Sequence, residues 1–273
     1  MKKQKTNSLK QSLASMGSVL IAYSGGVDST FLLKVAKDVL GDNVLAVTAV
    51  SDTYPIYELE EAKRIAKMLE VKHIIIETDE LAIGNFAENS SQRCYWCKQE
   101  LFQQLNRIAQ KCLLSNVLDG TVSDDIDDYR PGRKAAVELG VKSPLKESGF
   151  LKKEIRELSR EFGLPTWDKP TCACLASRFP YGVKITRDKL AMVDNAECFL
   201  RVLGIKQVRV RHHDTIARIE VEKKDISVIL AEKTRDEIVS FFKELGYSYI
   251  TVDLQGYRTG SLNEVLRVND REM

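Results

Sequence analysis

Apolar positions follow two rhythms along the chain. A short unbroken apolar run at 18–23 reads as a buried strand, and residues 28–40 then place apolar side chains at helical spacing up to Gly41. The pair repeats, with 44–50 as strand, 56–69 as amphipathic helix, 73–77 as strand, 95–113 as helix and 116–118 as strand. Strands separated by helices need crossover connections, so the pattern predicts an α/β fold with a parallel sheet covered on both faces. A helix over 151–162 stops at Gly163, and 163–180 then holds three prolines, Trp167 and the Cys172/Cys174 pair without a period. That change marks a domain boundary, with domains expected at 1–165 and 166–273. Beyond it, a helix at 187–203, period-two runs at 207–211 and 216–220, a helix at 234–245 and a strand at 249–254 predict a smaller α+β domain. No internal repeat or low-complexity tract interrupts the pattern.

Composition narrows the function classes. With 273 residues, 44% of them hydrophobic and 29% charged, the chain can bury a sizeable core, which excludes disorder and fibrous repeats. Forty-one basic against 39 acidic residues leave a net charge of only +2, so no nucleic acid is expected and a small phosphorylated substrate fits better. No apolar run approaches the length of a membrane span. The basic N-terminus is broken by Gln11, Ser12, Ser15 and Gly17, and reads as a polar helix start in a cytoplasmic protein rather than a leader. Six cysteines, grouped as Cys94/Cys97 and Cys172/Cys174 with Cys112 and Cys198 apart, point to reduced thiols or a metal site.

The sharpest local signal is Ser24-Gly25-Gly26-Val27-Asp28-Ser29, between the first strand and the first long helix of the predicted sheet. Two glycines let backbone approach an anion, and the helix start offers unpaired N–H groups, so phosphate is the natural guest. The loop lacks the Gly-Lys-Ser/Thr ending of common NTPases and the Gly-x-Gly-x-x-Gly pattern of dinucleotide sites. A plain turn with a Ser or Asp cap is the alternative. Asp119-Gly120-Thr121 follows the fourth strand, where it faces the same crevice, and Asp124, Asp125, Asp127 and Asp128 come next. Carboxylate oxygens suit Mg²⁺ on phosphates, Asp124 being the best candidate, while Asp127 and Asp128 fit a solvated loop equally well.

Three thiols, Cys-x-x-Cys plus a distant one, can hold an iron–sulfur cluster with one iron left open; four can close a zinc site, or all can stay free. Arg209 and Arg211 share one face of a strand and can clamp a phosphate, or form a solvated strand face. His212 and His213 are expected at the surface, with phosphate contact as the alternative, and Cys112 and Cys198 as small buried hydrophobes.

The hexapeptide at 24–29 resembles the signature of the PP-loop ATP pyrophosphatases, over about the first 165 residues. That resemblance implies an adenine nucleotide α-hydrolase-like domain that cleaves ATP to AMP and pyrophosphate while adenylating an acceptor. Arg93-Cys94-Tyr95-Trp96-Cys97-Lys98, Cys172-Ala173-Cys174-Leu175-Ala176-Ser177-Arg178-Phe179-Pro180-Tyr181-Gly182, Asp128-Tyr129-Arg130-Pro131-Gly132 and Val208-Arg209-Val210-Arg211 resemble the LarE family across nearly the whole chain. These are the sulfur transferases that make the nickel-pincer nucleotide cofactor of lactate racemase.

The resemblance implies adenylation and then thiolation of a pyridinium mononucleotide bearing two carboxylates. ATP would lie on Ser24, Gly25, Gly26, Asp28, Ser29 and Gly120, with Mg²⁺ on Asp28 and Asp124. Ser177, Arg178, Arg209 and Arg211 would receive the substrate phosphate. Cys94, Cys97 and Cys174 would carry the sulfur chemistry as ligands of a [4Fe-4S] cluster, Cys172 being the alternative third ligand. Zinc, or a sacrificial cysteine with no cluster, are the other options for these thiols. Sulfide or another sulfur donor and a homo-oligomeric state are expected as well. A tRNA thiolase shares the loop and the adenylation but acts on a nucleobase; a non-catalytic nucleotide sensor would have no use for the clustered cysteines.

Overall fold

The computed structural model describes residues 2–124, 131–171 and 173–265. The chain divides into two compact units, the first made of 1–51, 56–79 and 92–172 and the second of 52–55, 80–91 and 173–273. Helix α1 (Lys2–Met16), strand β1 (Val19–Ala22), α2 (Val27–Leu40), β2 (Val44–Val50), α3 (Ile56–Met68) and β3 (Lys72–Glu77) open the first unit. A short helix α4 (Gly84–Ala87) lies in the second unit, after which α5 (Arg93–Lys111), β4 (Asn116–Leu118), α6 (Gly132–Glu138), α7 (Pro144–Glu147) and α8 (Lys152–Glu161) complete the first. The second unit continues with α9 (Arg187–Val202), β5 (Val208–His213), β6 (Ile216–Val221), α10 (Ile226–Leu230), α11 (Glu232–Glu244) and β7 (Tyr249–Val252).

The first unit is a four-stranded parallel sheet in the order β3-β2-β1-β4, with Val19 aligned to both Val44 and Asn116. Successive strand side chains point to opposite faces, and both faces are buried. Val19, Ile21 and Ala46 join Leu9, Leu13, Phe31 and Ile155 of α1, α2 and α8 in one apolar cluster. Leu20, Leu45 and Val47 join Phe102, Leu105 and Ala136 of α5 and α6 in another. Each large apolar side chain so buried contributes roughly 1.5–3 kcal/mol. Gly41 ends α2 at φ 59°, its N–H bonded to Lys37 O at 2.9 Å. The chain leaves β1 toward β2 and β3, then crosses to β4 on the other side. The carboxyl ends of β1 and β4 therefore flank the reversal where open α/β sheets bind ligands.

In the second unit β5 pairs antiparallel with β6, and β6 parallel with β7. Val208, Val210 and Ile219 pack with Leu200 of α9 and Phe242 of α11, and Phe199 stacks on Phe241 at 4.3 Å between centroids. Among the described residues no helix is long and apolar enough to cross a membrane.

The helix start expected at the N-terminus is a 15-residue helix, which also buries Leu9 and Leu13, and Lys5 fixes it by donating to Gly149 O and Glu154 Oε2 at 2.6 and 2.7 Å. Other local expectations are corrected. Cys112 is exposed, because it caps the end of α5 instead of lying on its apolar stripe, and Cys198 is only half-buried on α9. His213 is exposed, but His212 is buried, with Nδ1 3.1 Å from the Tyr247 hydroxyl; burial holds its imidazole below the ordinary value.

Candidate active site

The loop at 24–26 turns from β1 into α2 with Gly25 at φ 67°, a conformation that an L side chain resists. A Cβ there would also meet the Cβ of Ala62 on α3 at 2.8 Å. The first helical N–H groups need acceptors, and Gly26 at the N-cap supplies no side chain to satisfy them. Two hydroxyls brace the turn: Ser24 N donates to Ser29 Oγ at 3.3 Å, and the two Oγ atoms lie 3.1 Å apart. Gly120, just past β4, is a close approach of another kind, since a Cβ there would sit 3.1 Å from Ser29 N. The carboxyl ends of β1 and β4 are thus drawn together around the start of α2.

Two lysines that the sequence did not single out complete this neighbourhood. Lys169, buried, donates to Gly25 O at 3.1 Å and pairs with Glu58 and Glu61 of α3 at 2.6 and 2.5 Å. Burial alone would lower its ionisation, but the two carboxylates outweigh that and raise it. Lys152, the first residue of α8, pairs through Nζ with Asp28 and donates its backbone N–H to Asp124 Oδ2 at 3.1 Å. One residue thereby joins both candidate magnesium ligands, Asp28 and Asp124. Their oxygens are hard donors suited to that ion. Asp125, Asp127, Asp128 and Cys172 lie outside the described residues.

Cys94 and Cys97 stand one turn apart at the start of α5, both half-buried. Gly132 lets α6 approach them closely, for a Cβ there would lie 3.0 Å from Cys94 O. In the second unit Cys174 is exposed and precedes a short 3-10 turn at 175–178. The thiols fit soft-metal chemistry by donor type, but among the described residues no group of three or more His, Cys, Asp or Glu is gathered around a metal position.

Arg178 is fully buried. Its Nε and Nη2 donate to Glu197 Oε1 and Oε2, both at 2.8 Å, and Nη1 reaches Ala173 O, Cys174 O and Ser177 Oγ at 2.7, 2.9 and 2.9 Å. That guanidinium therefore holds the cysteine-bearing turn against α9. Arg209 and Arg211 do share a face of β5, yet both are buried instead of forming a solvated strand face. Arg209 lies over the Tyr257 ring at 5.3 Å, while Arg211 donates to Ser177 O at 2.8 Å, Glu220 Oε2 at 2.7 Å and Ser261 Oγ at 3.1 Å. Ser177, Arg178 and Arg211 are brought together; Glu197 and Glu220, their carboxylate partners, carried no local sequence signal.

Comparison with known proteins bears on the family of the chain. The family model of queuosine biosynthesis protein QueC matches residues 18–95, from β1 through the loop to the start of α5. The argininosuccinate synthase of Haloarcula marismortui is 29% identical over 55% of this chain and 38% of its own. An uncharacterized protein of Synechocystis sp. is 46% identical over 97% of this chain and 99% of its own. The pyridinium-3,5-bisthiocarboxylic acid mononucleotide synthase of Lactiplantibacillus plantarum is 40% identical over 96% of this chain and 95% of its own. With a PP-loop domain of parallel sheet and such identity along nearly the full length of both chains, this protein belongs to the family of that synthase, the LarE family.

Proposed function

We propose that the protein is an ATP-dependent sulfurtransferase that converts the carboxylates of a pyridinium-3,5-dicarboxylate mononucleotide to thiocarboxylates, for a nickel-pincer nucleotide cofactor. The observation that carries this reading is the 40% identity with the bisthiocarboxylic acid mononucleotide synthase across almost all of both chains. A carboxylate is a poor electrophile until its oxygen becomes part of a good leaving group. In the first half-reaction a carboxylate oxygen bonds to the α-phosphorus of ATP, and pyrophosphate departs with the electron pair of the broken P–O bond. In the second, a sulfur nucleophile bonds to the acyl carbon and AMP leaves. Two carboxylates need two such rounds.

In this reading Ser24, Gly25, Gly26 and Ser29 bind the phosphates with the start of α2, and Gly120 leaves room for them. Asp28 and Asp124 would hold Mg²⁺, which neutralises phosphate charge when bound. Arg209, Arg211 and Ser177 take the phosphate of the mononucleotide, while Arg178 supports that site by fixing the turn that carries Ser177. Cys94, Cys97 and Cys174 are assigned as thiolate ligands of a [4Fe-4S] cluster, which when bound supplies an iron able to carry an extra sulfide. Cys174 supports a second reading, because an exposed thiol on a braced turn can itself surrender its sulfur and end as dehydroalanine. Iron content of protein purified without oxygen separates the two.

The test of the main reading is product analysis by phosphorus NMR with ATP and the dicarboxylate mononucleotide. AMP and pyrophosphate formed only with that acceptor are expected. ADP with inorganic phosphate, or turnover with tRNA in place of the mononucleotide, would overturn it.

A further inference from the structure

A glycine loop that holds a polyphosphate needs positive charge beside it, because the departing oxygens gather negative charge as the P–O bond breaks. The loop at 24–29 has no lysine of its own, and the first lysine of α2, Lys34, pairs with Asp38 at 2.6 Å. Two lysines arrive from elsewhere in the first unit. An ammonium has three N–H donors, and Lys169 directs its three at Glu58, Glu61 and Gly25 O while buried. It braces the loop and has nothing left for a ligand.

Lys152 is differently placed. Its side chain keeps 35% of its surface exposed and contacts Asp28, and among the described residues its Nζ has no second acceptor. Its backbone is pinned by the bond to Asp124, and the start of α8 is pinned by Leu151 N donating to Glu154 Oε2 at 2.9 Å, so the root of the arm is fixed. Asp28 and Asp124 together would repel a triphosphate. One Mg²⁺ offsets two of those charges, and a further cation in reach lowers the repulsion that remains.

We infer that Lys152 is the polyphosphate-binding lysine that the loop itself lacks. In the nucleotide-free protein Asp28 holds the ammonium, and on binding its remaining donors turn to the β- and γ-phosphate oxygens of ATP. The inference rests on the nucleotide reading of the loop at 24–29 and adds a residue 124 positions away from Asp28.

Calorimetric titration with Mg²⁺ and α,β-methylene-ATP, which cannot be cleaved at that bond, tests it alongside AMP. Lys152→Gln should weaken the analogue about ten- to a hundredfold, as expected for a charge-assisted phosphate contact, and leave AMP within about twofold. Lys152→Arg, which keeps the charge, should recover part of the loss. Unchanged analogue affinity in Lys152→Gln, or equal losses for analogue and AMP, would overturn the role of Lys152 while leaving the nucleotide site intact. Wild-type protein that fails to bind the analogue would overturn the nucleotide reading, and this inference with it.

Discussion

Arg178 and Glu197 meet through two hydrogen bonds of 2.8 Å, Nε to Oε1 and Nη2 to Oε2, with neither side chain reaching solvent. Burial pushes the Glu197 carboxyl up, but the guanidinium and the backbone N–H of Val210 outweigh burial and hold it below the usual range. Removing one partner leaves a buried charge, so Arg178→Met should destabilise by about 3–5 kcal/mol. The double variant with Glu197→Met should recover much of that. Urea unfolding of both variants checks the pair, and equal stability of the single and double variants would contradict it. Since the folded value of Glu197 is depressed, its contribution is present above the unfolded carboxyl value and is lost as pH falls through the folded one.

Gly25→Ala meets two obstacles at once, φ 67° and the Ala62 Cβ at 2.8 Å. The expected loss is about 1–3 kcal/mol of stability, from the left-handed backbone and the forced shift of α3. Affinity for an ATP analogue should fall as well, because the loop cannot keep its shape. Thermal unfolding and titration together check this, and an alanine variant with native stability would show that the loop relaxes freely.

Lys169→Met strands Glu58 and Glu61 beside the loop, and a loss of about 3–5 kcal/mol is expected. The pH dependence carries the signature. Lys169 is raised in the folded state, so its contribution is complete below the unfolded lysine value and lost as pH rises through the folded one. Wild-type stability should therefore fall in the alkaline range above about pH 10.4, where the variant has nothing further to lose. Denaturation curves across that range compare the two.

Arg211→Ala should weaken the acceptor mononucleotide about ten- to a hundredfold and leave ATP affinity unchanged. The fold should survive, since Glu220 keeps Arg218 at 3.3 Å. Paired titrations test this, and an equal loss for both ligands would contradict separate phosphate sites.

Much of the sheet was legible because burial writes its own period into the sequence. The alternation of Val19 and Ile21 with Leu20 sends side chains to two different clusters, and the 3.6 period of α3 and α5 follows from one buried stripe each, whereas α2 is buried continuously from Ser29 to Leu33. Helices α4, α6, α7 and α10, with four to seven residues, were not foreseen, as so few positions cannot establish a period. The glycine loop was readable for a local reason, because the turn demands those residues. Its supports were not: Lys169 lies 144 positions from Gly25, and nothing near either residue announces the other. Spacing likewise put Arg209 and Arg211 on one face, but their burial depends on Glu220 across the hairpin and on Tyr257 and Ser261 beyond β7.

The interleaving of the two units bears on how the chain is made. Residues 52–55 and 80–91 belong to the second unit, where Thr53 O accepts from Leu175 N, Asn89 O from Gly182 N and Ala87 O from Ile185 N, at 2.8, 3.0 and 2.9 Å. On the ribosome these pieces emerge before the whole of 92–172, and at ~5–20 residues per second they wait on the order of 10 s for their partners. A fragment begun at residue 166 never receives them. Its three N–H groups would have no carbonyl to meet, so the carboxyl-terminal half, expressed alone, is expected to aggregate, and co-expressing the missing amino-terminal part is the remedy to try.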